Sequence, residues 1–254
     1  LARLPGAGLG TVSKKEAKKK DKAGFQEEKT EMQTWSVGRV AELADVLEKQ
    51  AFFYCKEVLT GPDIFTSKLK GLIFGTEKES WFLELSWDLG SETGKYPAHS
   101  GVSDIFKKNK DKILVGHDLK RLIKALNRCN VEVQLVLFDV MVASYIINSS
   151  VRTHDLPSII LRELGLELEE KTGQGTLFGE DPSALAQYGR HILKIREKQA
   201  KRLEDDDNLG LFFRLEMPLI SVLAEMELNG MAVDTKILNV LSSEARESIE
   251  KLTK

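Results

Sequence analysis

The chain has 254 residues, 42% of them hydrophobic and 30% charged, with a formal net charge of -2. That length can bury one or two sizeable cores, and the near-neutral balance argues neither for nor against nucleic acid, so only local charge is informative. Two cysteines, Cys55 and Cys129, exclude a disulfide framework, no apolar run approaches the ~20 residues of a membrane span, and the N-terminus lacks the apolar core of a secretory signal. A cytoplasmic protein with buried thiols and no membrane association is expected.

Leu1–Lys29 is low in complexity and rich in Lys, which predicts a flexible tether rather than a DNA-contacting arm. Because the chain begins in such a linker and without Met, a piece of a larger protein is expected. Thr34–Gln50 carries Val37, Val40, Leu43, Val46 and Leu47 at helical spacing, so a helix is predicted over that whole stretch. Ala51–Cys55 reads as a short strand. Lys70–Thr76 and Ser80–Trp87 read as a β-hairpin, followed by a Gly-, Ser- and Pro-containing loop over Asp88–His99. Then come a helix at Val102–Lys110, a strand at Ile113–Val115, a helix at Leu119–Asn127, a strand at Val133–Phe138 and a helix at Asp139–Ile147. Alternating strands and helices predict an α/β sheet, and the early hairpin makes it mixed, with about five strands.

Leu156–Leu164 is a further helix, and Lys171–Pro182 is a polar loop. Ser183 is placed to cap a helix that runs to about Leu203, ahead of the acidic run Glu204–Asp207. Leu211–Asn229 is a strongly apolar helix that Pro218 is expected to bend near its first turns and Gly230 to end as a left-handed cap. Asp234 is placed to cap a last amphipathic helix running to Lys254. Its Ile237, Leu238, Leu241, Ile249 and Leu252 have too little chain after them to be covered, so exposed apolar surface is expected there.

Several local patterns resemble one family. Ile113–Leu126 (ILVGHDLKRLIKAL) is similar to the strand, G-x-N-L-K-Y-D and helix of the 3'-5' exonuclease domain of bacterial family A DNA polymerase I. FDVMVASYII at Phe138–Ile147, His154-Asp155-Leu156 and Ala184–Tyr188 (ALAQY) resemble its next segments. EMPLISVLAEMELNG at Glu216–Gly230, followed by Val233-Asp234, resembles the exit from that domain into the polymerase thumb. The resemblance covers about Phe25 to Lys254. It implies a ribonuclease H-like fold over residues 30–209 and the first thumb helices over 210–254. It also implies template-primer DNA as partner, a polymerase domain beyond Lys254, and Mg²⁺ in that absent domain.

Nucleases of this family hydrolyse the phosphodiester with two metals held by four carboxylates, a chemistry that needs hard oxygen ligands. The resemblance places those ligands at Tyr54 and Lys56 on the first strand, at Leu122 after the second motif, and at Ile192, four residues beyond the retained Tyr188. None of these is a carboxylate, so no catalytic residue, resident metal or cofactor is expected in this stretch. Two other readings stay open. An active proofreading nuclease would have to use Glu57, Asp118 or Asp139, and a stand-alone nucleic-acid-binding module would use none.

The bland roles of the remaining polar residues are caps. Asp139 and Asp155 are each placed to cap the helix that follows, and Asp118 is a candidate cap for Leu119–Asn127. His117, His154 and His191 lack zinc-ligand spacing, and Thr172–Gly179 lacks the lysine of a phosphate-binding loop. Arg190, Lys194, Lys198 and Lys201 fall on one helical face and are the candidate nucleic-acid contacts. A solvated helix face, partly cancelled by the neighbouring acids, is the competing reading.

Overall fold

The strands, in chain order, are β1 (Met32–Trp35), β2 (Phe52–Leu59), β3 (Lys68–Gly75), β4 (Ser80–Asp88), β5 (Ile113–Gly116) and β6 (Val136–Asp139). The computed structural model describes residues 32–88, 100–167 and 182–253. The expected linker at 1–29, the loop expected over Asp88–His99 apart from Asp88, which ends β4, and the loop containing Thr172–Gly179 lie outside them. All six strands form one sheet in the order β1-β4-β3-β2-β5-β6. β2–β3 and β3–β4 pair antiparallel, whereas β2–β5, β5–β6 and β1–β4 pair parallel.

The sheet is therefore mixed, with six strands rather than the expected five. The sixth is β1, which the helical spacing after Val37 concealed. Four residues are too few to display a period of two, and the helix proper, α1, is confined to Val40–Glu48. Tertiary contacts hold β1 in place. Trp35 packs on Trp81 of β4 with centroids 6.0 Å apart, and the Arg39 guanidinium lies 3.7 Å over the Trp35 ring.

β2 also runs further than expected. Lys56-Glu57 interrupts the apolar run, yet the strand continues to Leu59 because β3 pairs with it along that length. The Glu57 carboxylate is buried but neutralised by Lys56 and Arg121.

The remaining helices are α2 (Ser100–Lys108), α3 (Leu119–Arg128), α4 (Val140–Ile147), α5 (Leu156–Leu164) and α6 (Pro182–Asp205). After them come the short α7 (Leu209–Leu211), a π turn (Phe212–Glu216), α8 (Met217–Asn229) and α9 (Thr235–Thr253). α6 lies across β2, β3, β4 and β5, while α3 packs on β2 and is itself covered by α8. Aromatic residues fill the space between the layers. Phe74 meets Phe53 and Phe106 at 6.2 and 6.1 Å, and Phe138 meets Phe212 at 4.8 Å.

At Pro218, where a bend was expected, the apolar stretch is divided into a π turn and α8, with the proline in the first turn of α8. Proline has no N–H to donate, and its ring crowds the carbonyl four residues earlier. The chain widens into the π turn immediately before α8, which relieves that crowding. Gly230 does take a positive φ of 65°, but its ψ of -165° is extended. It therefore ends α8 without the left-handed cap that was expected. Asp234 caps α9 by accepting from the N–H groups of Lys236 and Ile237 at 2.9 and 3.2 Å. All the described residues of α9 are exposed, as are Leu219, Val222, Leu223 and Met226 on α8. The uncovered apolar surface is thus larger than the last helix alone.

Candidate functional site

In an open α/β sheet, chemistry collects at the carboxyl ends of the parallel strands. Here those ends bring together Lys56 and Glu57 on β2, His117 and Asp118 after β5, and Asp139 at the end of β6. The β5 turn is tight. A Cβ on Gly116 would lie 2.4 Å from Leu119 Cδ2 and 3.3 Å from the Cys55 carbonyl oxygen, so any larger residue would have to displace the buried Leu119 side chain.

Asp118 adopts the left-handed conformation, φ 57°, and its side chain makes no capping bond. The expected cap is supplied instead from another strand. Asp139 Oδ2 accepts the Leu119 N–H at 2.7 Å, and its Oδ1 accepts the N–H groups of Met141 at 2.9 Å and Asp118 at 3.3 Å. One carboxyl thus caps its own helix, α4, and also α3. Asp139 is buried, and that burial pushes its carboxyl above the ordinary range. The Leu119 N–H, His117 and the Met141 N–H oppose this shift.

Three of the four positions implied for metal ligands are fully buried, and Lys56 is partly buried. Tyr54, Leu122 and Ile192 are each no more than 1% exposed. Tyr54 faces α6, where a Cβ on Gly189 would come within 2.7 Å of its ring. Tyr188 is half-buried beside that contact. Lys56 does not reach into a carboxylate cluster. Its Nζ lies 2.9 Å from Glu57 Oε1, and the same oxygen is 3.4 Å from Arg121 Nε. Among the described residues, no group of three or more His, Cys, Asp or Glu is placed to hold a metal ion. A phenol, an ammonium and two aliphatic side chains do not suit two Mg²⁺ ions. Glu57 is matched by cations at Oε1, with Oε2 buried and without a hydrogen-bond partner, and Asp139 already accepts from three N–H donors.

Gly189 offers a direct check of this packing. Gly189→Ala should destabilise the domain by roughly 1–3 kcal/mol, because the new methyl enters the space of the Tyr54 ring. Thermal unfolding of Gly189→Ala against Gly189→Ala/Tyr54→Leu tests it. The second substitution should recover part of the loss.

His154-Asp155-Leu156 forms a joint. The His154 ring shares a hydrogen bond with Ser144 Oγ at 2.8 Å, and Arg162 donates to that same hydroxyl oxygen. His117 Nε2 lies 2.9 Å from the His154 carbonyl oxygen, which ties the β5 turn to the start of α5. Asp155 caps α5 as expected, and the Ser158 N–H holds its carboxyl below the usual range.

Of the basic stripe on α6, Lys198 and Lys201 are exposed, but Lys198 Nζ already donates to the Glu163 carbonyl at 2.6 Å. Arg190 is half-buried, Lys194 is exposed, and each has a partner within the domain. Arg196, in the same sequence run, turns inward, 4.6 Å from the Phe52 centroid, and burial lowers its pKa.

A cleft of about 430 Å³ opens between residues 62–65, α3 and α8, lined by Phe65, Asp118, Lys120, Arg121, Lys124 and Glu227, among others. Lys120 and Lys124 both bind Glu227, at 2.7 and 2.6 Å. Their spacing of four on one helix was visible in the sequence. Their partner, more than a hundred residues further on, was not.

Residues 59–168 match the family model of the DNA polymerase I ribonuclease H-like domain. The chain is 30% identical over 217 residues to DNA polymerase I of Bacillus subtilis, covering 80% of this chain and 24% of that polymerase. It is 30% identical over 155 residues to the Pseudomonas aeruginosa enzyme, covering 56% of this chain and 17% of that protein. It thus spans about a quarter or less of these relatives. Among solved structures, the polymerase domain of Pol1 from M. smegmatis, in complex with DNA primer-template and dNTP, superposes with a TM-score of 0.66 at 18% identity. That match covers 87% of this chain and 36% of the other. RNase D of Escherichia coli, an exoribonuclease, gives 0.62 at 12% identity, covering 78% and 51%. At such identities these two structures speak for the fold alone. No described helix is long and apolar enough to cross a membrane. The motifs in their order, the strand-end geometry and these matches lead to one assignment: the chain carries the ribonuclease H-like, 3'-5' exonuclease-type domain of the DNA polymerase I family.

Proposed function

We propose that this domain keeps the exonuclease architecture without the two-metal chemistry, and serves a cytoplasmic DNA polymerase as a structural and DNA-contacting module in replication and repair. Residues 30–209 are the exonuclease-like unit, and residues 210–254 begin the polymerase thumb. The bound Mg²⁺ and the nucleotidyl transfer belong to the polymerase part of such a protein.

One observation carries the reading. Tyr54, Lys56, Leu122 and Ile192 stand where the family resemblance calls for carboxylates; three are fully buried, and the cation among them is paired with Glu57. Buried aliphatic groups neither bind Mg²⁺ nor activate water. Arg190, Lys194, Lys198 and Lys201 on α6 are the residues proposed to face DNA phosphates, with the polymerase-family relatives as support.

The test is nucleotide release from labelled single-stranded DNA in Mg²⁺ or Mn²⁺. The expected result is no release above the metal-free control. Metal-dependent release that disappears in Glu57→Gln or Asp118→Asn would overturn the proposal in favour of an active nuclease with a different ligand set.

A further inference from the structure

The cleft beside α3 has a basic wall whose charge is already engaged. Lys120 and Lys124 project from α3 one turn apart, and both end on the two oxygens of a single carboxylate, Glu227 of α8. Arg121 lies between them in sequence and lines the same cleft, with buried Glu57 behind it. On the opposite wall Phe65 is 43% exposed, and the Arg128 guanidinium is 5.2 Å from its ring centroid. A carboxylate that accepts from two lysines presents much the same face as a phosphodiester, with two anionic oxygens and one negative charge. The aromatic opposite it is the kind of platform on which a base of a single strand stacks.

We propose that Glu227 is an internal anion holding the basic wall of this cleft, and that its release lets Lys120 and Lys124 bind phosphodiester oxygens of single-stranded DNA. The inference rests on the DNA-contacting part of the function proposed above. Because Glu227 belongs to α8, movement of that helix couples to the availability of the wall. Displacement of α8 frees both cations, and a seated α8 engages the pair with a single negative charge. The Glu227 carboxyl is held below the usual range by Lys120 and Lys124, as the geometry requires. It therefore stays ionised at neutral pH.

The experiment uses the full chain and a fluorescein-labelled oligothymidylate, with affinity measured by anisotropy across a salt series. Glu227→Gln is expected to bind several-fold more tightly than the parent. Its plot of log K against log salt should be steeper by roughly 1.4, the value for two further phosphate contacts on a single strand. Glu225→Gln removes the same charge from the same helix without touching the lysines, and should leave the slope unchanged. Lys120→Gln/Lys124→Gln added to Glu227→Gln should return the slope to the parental value.

A Glu227→Gln protein that melts lower yet binds no more tightly than Glu225→Gln overturns the proposal, and the contact is then purely structural. A gain confined to competing dTMP, with none for the oligonucleotide, overturns the strand assignment. Neither result bears on whether the domain hydrolyses DNA, which the release assay decides separately.

Discussion

Leu122→Asp is expected to lower stability by about 3–5 kcal/mol, even though it writes a carboxylate into the position where the family resemblance calls for one. Leu122 is 1% exposed. Losing its apolar burial costs roughly 1.5–3 kcal/mol, and a carboxylate placed there without a partner adds a desolvation cost of at least 1–3 kcal/mol or shifts its own pKa upward. For a domain of this size that corresponds to a fall of roughly 10 °C in Tm. Leu122→Asn, which is polar but uncharged, and Leu122→Ala, which leaves only a cavity, calibrate the two contributions. Unchanged or improved melting of Leu122→Asp would mean that the position opens to water and can still host a ligand. The same comparison separates lost chemistry from rearranged chemistry. A pocket still able to bind metal would be stabilised by Mn²⁺ in the Asp variant, and no such shift is expected.

Asp139→Ala is the second large effect, at about 2–4 kcal/mol. The carboxyl accepts N–H groups from Met141, Leu119 and Asp118, so its removal strips the caps of α4 and α3 together. A single lost cap costs typically ~1 kcal/mol, and buried donors left unpaired add to that. Asp139→Asn should fall between, because its amide offers one acceptor oxygen where the carboxylate offers two. Amide hydrogen exchange provides the residue-level check. The first turns of both helices should lose protection in Asp139→Ala, while the β2–β3–β4 region keeps it. Loss of protection in α4 alone would show that the bond to Leu119 is dispensable, and that the left-handed turn at Asp118 is held by something else.

The sequence by itself was enough for the sheet of α/β type, the β3–β4 hairpin, the bounds of α5, the caps at Asp139, Asp155 and Asp234, and the likeness to the exonuclease domain of DNA polymerase I. These are properties of short range, written in periodicity, in residues with special backbone preferences and in ordered motifs. β1 was not legible, because four residues carry no period and their strand state comes from pairing with β4. The second duty of Asp139 was not legible either. Asp118 stands in the cap position by sequence, and only the register of β5 against β6, which pairs Gly116 with Asp139, brings the other carboxyl to it. Gly230 does end α8, but not as the left-handed cap expected of it, because its ψ depends on the path of the chain toward α9.

The site divides along the same line. That Tyr54, Lys56, Leu122 and Ile192 are not carboxylates is a fact of the sequence, since ligand chemistry resides in side-chain type. That three of them are sealed in the core, that Lys56 and Arg121 share Glu57, and that Lys120 and Lys124 close on Glu227 of a distant helix are facts of the tertiary structure alone. The physical reason is range. Backbone preference and side-chain periodicity act over a few residues. Burial and charge pairing depend on which segments the packed sheet brings together, and no local pattern along the chain encodes that.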